Sequence, residues 1–410
     1  MNRDLFIRNR KKILNQMEND SIFLIFNREK EESIVNQRYD LDRNYFYATG
    51  ILEFGDILVL CKLNNRETEF IYSHPYDAFR AKWHGANFSK DEITDISGIK
   101  DVRYLELYND HLNRLLDSVK TVYLDMPATA LGTLPTENEA LAQSILAKKP
   151  WLSIKNGRGF FMNARMIKEP EEIAEMKKAI EITRKGIEAI LSNIGPKYEY
   201  QLEAYFDQAI KFNGANGYAF PTIAASGKNS TCLHYSYNNC MAKDGDLILF
   251  DLGASCNMYC ADISRTFPIN GRFTDRQKEI YNIVLRCQQH VFDNARPGVT
   301  TRDLNKLVME FYAVELKRIG LINDPSEVSK YYYHGVSHHI GLECHDLSDY
   351  SPLKPGCVIS NEPGLYIAEE GIGIRIEDDV LITENGAEWL SPQIIKTVDD
   401  IEAFIAKNRK

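Results

Sequence analysis

Long hydrophobic runs are missing from this 410-residue sequence. No apolar stretch approaches the ~18 residues that span a bilayer. The opening MNRDLFIRNRKK has no apolar core followed by small residues, so neither a membrane span nor a secretory signal is expected. CxxC pairs are also missing. The eight cysteines therefore read as free thiols of a reducing, cytoplasmic compartment, and Cys256, Cys260 and Cys344 as small buried hydrophobes. An excess of positive charge is lacking: 49 Lys and Arg stand against 58 Asp and Glu, a net charge of -9, which argues against nucleic acid as a general partner. Internal repeats and low-complexity tracts are absent. What is there, 44% hydrophobic and 26% charged residues, suits an enzyme too long for one ordinary core.

Two domains are expected, 1–165 and 166–410. In the first, an amphipathic helix over 5–18 precedes strands at 21–26, 45–50, 56–63 and 68–73. Helices near 75–83, 105–118 and 137–148 and a strand at 121–125 complete a mixed α/β domain. The pattern loosens between 151 and 169. A long amphipathic helix then runs from Glu169 to about residue 192, with Pro170 in its first turn and acids near its N-terminus, as the helix dipole favours. A helix at 199–213, loop and strand over 220–240, helices at 275–295 and 300–319, and a strand-like end over 355–397 follow.

The second half is organised around LILFDLGASCNMYCADISRTF, residues 247–267. LILF reads as a buried strand that stops on Asp251. GASCN supplies a turn, and the returning strand sets Tyr259, Ala261 and Ile263 on one face and Cys260, Asp262 and Ser264 on the other, so that Asp262 lies opposite or diagonal to Asp251. Two carboxylates that close oppose each other's ionisation unless a cation sits between them. Taken alone, the hairpin reads as a turn with one acid exposed or hydrogen-bonded; the rest of the chain changes that reading.

Four histidines, His334, His338, His339 and His345, crowd into YHGVSHHIGLECHD, where Gly335 and Gly341 favour an irregular backbone open to a ligand. Glu362 follows an apolar strand and precedes a Pro-Gly turn. In GIGIRIEDDVLI, alternation puts Arg375, Glu377 and Asp379 on one face and Ile374, Ile376 and Asp378 on the other. A surface Arg–Glu pair is the alternative for that stretch alone. Together these sources offer four acids and one imidazole, a set suited to two divalent ions held by hard donors, manganese, iron or cobalt rather than a thiolate zinc site.

DLGASCNMYCADISRTFPINGRFTDRQKEIYNIVL, HGVSHHIGLECHD, NEPGLYI and GIGIRIEDDVLIT closely resemble the Xaa-Pro aminopeptidase (aminopeptidase P) branch of the pita-bread metallopeptidases. The likeness extends to RMIKEPEEIAEMKKAIEIT and GKNSTCLHY, and more weakly to YFYATG and KWHGANFSKDE. It implies an α/β first domain followed by an α+β domain with a curved antiparallel sheet wrapped by helices. It further implies Asp251, Asp262, His338, Glu362 and Glu377 as ligands of two metals, usually manganese, with Asp262 and Glu377 bridging. His234, His334 and His345 map to positions that contact substrate and the tetrahedral intermediate, and Arg375 to the arginine beside the bridging Glu. His339 and His290 match no functional position. The implied reaction is attack of a metal-bridging hydroxide on the carbonyl before proline, with Glu362 taking its proton. The implied partners are proline-containing peptides and further copies of the chain, as homodimer or homotetramer.

Two stretches depart from the family pattern. DLDRNYF stands where YRQNSDF is usual, which places Asp40, Asp42 and Arg43 there, and Ala81 replaces an acid two residues before Trp83. Both bear on oligomer geometry and on preference for the residue before proline. A prolidase, restricted to dipeptides, shares the same ligands. A binding protein on the same fold has lost ligands that are all present here, and a methionine aminopeptidase usually lacks the first domain.

Overall fold

The computed structural model describes residues 2–27 and 41–409. The chain divides into two compact units, Met1–Arg165 and Met166–Lys410.

The first unit contains α1 (Arg3–Leu14), β1 (Ser21–Phe26), α2 (Arg43–Thr49), β2 (Ile57–Leu63), β3 (Arg66–Ser73), α3 (Ala78–His84), α4 (Lys90–Ser97), β4 (Val102–Tyr104), α5 (Tyr108–Leu116), β5 (Thr121–Leu124), α6 (Glu137–Lys148), β6 (Ser153–Asn156) and α7 (Arg158–Met166). Its strands form one mixed sheet in the order β4-β3-β2-β1-β5-β6. Central β1 pairs antiparallel with β2 and parallel with β5. Ile22 and Leu24 of β1 join Val59, Val122 and Leu116 in one apolar cluster on a face of that sheet.

The strand expected at 45–50 is instead helix α2. Asp42 caps it by accepting the Tyr45 N–H at 2.7 Å, and Gly50, at φ 72°, closes it by donating to Phe46 O. Tyr45, Phe46 and Tyr47 are all buried, so the apolar run reflects burial all round rather than a pleat. Asp42, a departure from the family pattern, thus has a local structural task. Asp40 lies outside the described residues. The stretch expected to loosen, 151–169, holds β6 and α7.

The second unit continues with α8 (Pro170–Leu191), α9 (Glu199–Phe212), β7 (Gly217–Tyr218), β8 (Ile223–Ser226), β9 (Leu247–Leu252), β10 (Ala254–Cys256), β11 (Tyr259–Cys260), β12 (Ile263–Pro268), α10 (Asp275–Asn294), α11 (Thr301–Arg318), β13 (Val358–Asn361), β14 (Gly364–Ile367), β15 (Ile372–Arg375), β16 (Asp378–Thr383), β17 (Gly386–Trp389) and α12 (Val398–Asn408). All strand pairs recorded in this unit are antiparallel, in the groups β12-β9-β8, β13-β16-β17, β14-β15 and β11-β10-β7. Helix α8 carries Met176, Ile180, Thr183, Ile187 and Ile190 on its buried side. Gly186 lets α9 come close, since a Cβ there would strike Phe206.

The return strand after Asp251 is broken rather than continuous. Tyr259 and Cys260 pair with β10, and β12 begins only at Ile263, leaving Asp262 in the break. The Asp262 N–H faces Asp379 Oδ2 at 3.4 Å. Gly253 makes the crossover possible, because a Cβ at that position would collide with the Ala261 carbonyl.

Candidate metal centre

The register of β9 with β12 sets Asp251 opposite Ser264, so Asp262 is diagonal to Asp251 across the pair. Glu377 sits between β15 and β16, where its N–H donates to Ser264 O at 3.0 Å. Glu362 follows β13. His338 belongs to the 334–346 loop, and its N–H donates to Ser360 Oγ at 3.0 Å while the Ser360 N–H donates to His338 O at 2.9 Å. The loop is therefore stitched to the strand that delivers Glu362. The His338 Nε2 atom lies 3.4 Å from both Asp262 Oδ2 and Glu362 Oε1. One donor atom each from Asp262, His338 and Glu377 falls within 4.8 Å of the others. On the Asp251 side, Ser264 Oγ is 3.0 Å from Asp251 Oδ1 and 2.7 Å from Glu377 Oε2. Asp251, Asp262, His338, Glu362 and Glu377 are thus brought together, with Arg375 against them: its Nη2 donates to Asp251 Oδ2 at 2.7 Å and its Nε to Ser264 Oγ at 2.7 Å.

The electrostatics mark this cluster as short of positive charge. Burial first, and then neighbouring carboxylates, raise the Asp251 carboxyl, push Glu362 up to about 7, and drive Glu377 well above the usual range. Asp378, one residue on, behaves oppositely. Burial favours its neutral form, yet Arg265 and Lys396 hold it below its ordinary value, with Arg265 Nη2 at 2.7 Å and Lys396 Nζ at 2.9 Å. Adjacent acids on opposite faces differ because one has its cations built in. Burial lowers the His338 imidazole, but the Asp262 hydrogen bond and the Glu362 and Asp262 charges outweigh it and raise the group to about 9. A donor set of four mutually repelling carboxylates and one imidazole, all hard or borderline, fits divalent cations.

The outer histidines differ in exposure and in bonding. His334 Nδ1 lies 2.8 Å from the Gly335 carbonyl, which can only accept, so Nδ1 carries the proton and Nε2 accepts from Tyr366 O–H at 2.8 Å. Burial, then the charge of Arg375, lowers His334 to about 4 and keeps it neutral. His345 is exposed, with its ring centroid 4.1 Å from that of His338. His234 is exposed on the 227–240 loop, near enough for its charge to bear on both His334 and His345. His339 is buried, with no hydrogen-bond partner at Nδ1 among the described residues, and His290 stacks on Phe311.

The profile of metallopeptidase family M24 matches residues 174–384, the segment that carries all five of these residues. The chain belongs to metallopeptidase family M24. The profile of the aminopeptidase P N-terminal domain matches residues 6–123. The Xaa-Pro aminopeptidase of Escherichia coli K12 is 32% identical over 438 residues, covering 100% of this chain and 99% of the relative. A Bacillus anthracis structure described as an aminopeptidase P superposes with a TM-score of 0.97 at 40% identity, covering 100% of this chain and 99% of that one. E. coli aminopeptidase P with the inhibitor Pro-Leu gives 0.90 at 31%, with the same coverage; the E. coli protein is also solved in a zinc-substituted form with product. This M24 chain is therefore a hydrolase of the Xaa-Pro aminopeptidase branch, and its two-domain fold is that of aminopeptidase P.

Several residues that shape this M24 centre were given no role from sequence. Ser264 shares the Asp262 face by simple alternation, which was a usable signal. Tyr366 O–H joins His334 Nε2 to Arg375 Nη1, the latter at 3.2 Å, and only β14–β15 pairing reveals it. Cys344 was expected as a small buried hydrophobe, yet its Sγ points at Asp262 Oδ2, 2.9 Å away. Burial and that carboxylate push the thiol far up, so it is the proton donor. Glu199, at the start of α9, is a buried hub for the His234 loop. Its Oε1 accepts from Ser226 N–H, Ser226 O–H and Asn229 Nδ2 at 2.8, 2.7 and 3.1 Å, and its Oε2 from Tyr235 O–H and Cys240 N–H at 2.8 and 2.9 Å.

Proposed function

We propose that this chain releases the N-terminal residue from peptides with proline in second position, with Asp251, Asp262, His338, Glu362 and Glu377 holding two divalent ions, manganese first among them. The convergence of four cation-poor carboxylates on one imidazole carries the reading. Divalent ions held there would acidify a water and polarise the scissile carbonyl.

The chain's own residues supply the proton traffic and the positioning. Glu362, 3.4 Å from His338 Nε2 within the cluster, is placed to take a proton from the attacking water and pass it to the departing proline nitrogen. Ser360 Oγ, 3.2 Å from Glu362 Oε1, fixes that carboxylate. Proline has no N–H, so the site cannot grip the leaving group there and must recognise its ring instead. Between the two candidates for oxyanion donor, the geometry favours His345, because the one N–H of His334 is turned to Gly335. His234 lies on the loop beside both and contacts the peptide. Arg375 orients Asp251 and, through Tyr366, His334.

No described helix is long and apolar enough to cross a membrane, and all eight cysteines are free. A cytoplasmic location agrees with both. Exposed Tyr76, Phe79 and Trp83, around α3, support a homodimer or homotetramer in which that patch is covered.

The test is hydrolysis of an Arg-Pro-Pro tripeptide beside a Gly-Pro dipeptide, after metal removal and with manganese restored. Metal-dependent release of Arg from the tripeptide is expected. Cleavage of the dipeptide alone would make the chain a prolidase, and cleavage of neither would overturn the reading.

A further inference from the structure

We propose that Cys344, with His345 and His338, forms a soft-donor side to the centre that takes a thiophilic divalent ion such as zinc or cadmium. The inference rests on the reading of Asp262 and His338 as metal ligands and adds a donor of different chemistry to them.

Donor atoms of His338, Cys344 and His345 all lie within 4.8 Å of one another. Donors around a single tetrahedral zinc stand about 3.5 Å apart, a spacing that follows from Zn–S and Zn–N bonds of roughly 2.3 and 2.0 Å. The Cys344 Sγ atom already sits 2.9 Å from Asp262 Oδ2, so it needs a small outward rotation, not an approach, to share an ion with that carboxylate. The site is reachable, because Cys344 is half-buried and His345 exposed.

The thiol is not packed as a core hydrophobe: its hydrogen bond runs to a carboxylate. Cys260, close by in the fold, shows the contrast, since the residue is buried and its Sγ meets the Leu342 carbonyl at 3.8 Å. One sulfur and two imidazoles make a set that prefers borderline or soft cations, whereas the carboxylate side prefers hard ones. The two sides of the cluster therefore discriminate between ions by chemistry. Binding exchanges the thiol proton for the metal: the S–H bond breaks, a sulfur–metal bond forms, and buffer base takes the proton, with no change of oxidation state.

The probe is Cd2+ alone, added to metal-free full-length protein in which the exposed Cys232 and Cys240 have been changed to Ser to silence their background. A thiolate-to-cadmium ultraviolet band that saturates near one ion per chain is expected, and Cys344→Val should abolish it. His345→Ala should keep the band and weaken cadmium binding at least about tenfold, as loss of a ligand or its support does. Manganese binding, followed separately by electron paramagnetic resonance, reports the carboxylate side, and an unchanged cooperative thermal unfolding transition shows that Cys344→Val folds. Manganese binding without a cadmium–thiolate band, or a band that survives Cys344→Val, overturns the inference alone. Absence of binding by either ion overturns the reading on which it rests.

Discussion

Ser264 Oγ accepts from Arg375 Nε at 2.7 Å while standing between Asp251 Oδ1 and Glu377 Oε2. Its single proton can reach only one of those carboxylates at a time, and both belong to the cluster proposed to hold metal. Ser264→Ala would remove this shared tie and leave Arg375 Nε buried without its acceptor, a cost of about 1–3 kcal/mol. Manganese affinity should fall roughly 10- to 100-fold, the usual effect of losing a group that orients ligands. Paramagnetic resonance titration of Ser264→Ala measures it, and an unchanged affinity would remove Ser264 from the account.

Lys168 and Asp346 form an ion pair at 3.2 Å, with both side chains 1% exposed, where the histidine loop ends. Lys168 Nζ has no well-aligned hydrogen bond, so the pair acts chiefly through charge. Lys168→Met removes the cation beside a buried carboxylate and should cost about 3–5 kcal/mol of stability, whereas pairing it with Asp346→Leu should recover much of the loss. Urea unfolding of the two variants decides it. If the double variant were the weaker, geometry supplied by the pair would matter more than its charge.

Glu199 gathers five donors from Ser226 and the loop after it that presents His234, and Gly373 lets the same loop lie against β15, since a Cβ there would strike the Ser230 carbonyl. Glu199→Gln puts an amide –NH2 where one carboxylate oxygen now serves two or three donors, so at least one buried donor loses its acceptor. The expected result is faster hydrogen exchange over 226–240, a turnover about tenfold lower on the tripeptide, and manganese binding unchanged. Faster exchange with full turnover would mean that His234 needs no fixed position.

The sequence made the chemistry easier to read than the backbone. Asp251, Asp262, Glu362 and Glu377 were visible because acids at strand ends in apolar runs are costly, and His338 because four histidines crowd one loop. The family likeness then separated His338 from His339. Helix α2 was misread because its apolar side chains are buried on every side, which erases the helical period. Asp42 and Gly50 were its only local marks. Tyr366 reaches His334 across 32 residues, Glu199 its donors across 27 to 41, and Lys168 its partner across 178. Such separations carry no pattern in a single sequence.

Asp56, just before β2, is 1% exposed, and its Oδ2 has no hydrogen-bond partner among the described residues. Burial first, then the charge of Glu53, pushes its carboxyl up to about 8, against the lowering influence of Tyr45, His74 and Arg80. In the unfolded chain the same group titrates near about 4. Because the folded state holds this proton more tightly, its contribution favours folding most below about pH 4 and is lost as pH rises through about 8. Glu53, also raised chiefly by burial, acts in the same direction. Asp56→Asn cannot ionise, so it should match the parent protein near pH 4 and be more stable than it at pH 8.5. Hydrogen exchange of β1 and β2 amides at the two pH values, read in both proteins, isolates the effect within the first unit. Equal loss of protection in the two proteins between those values would place the titrating group elsewhere.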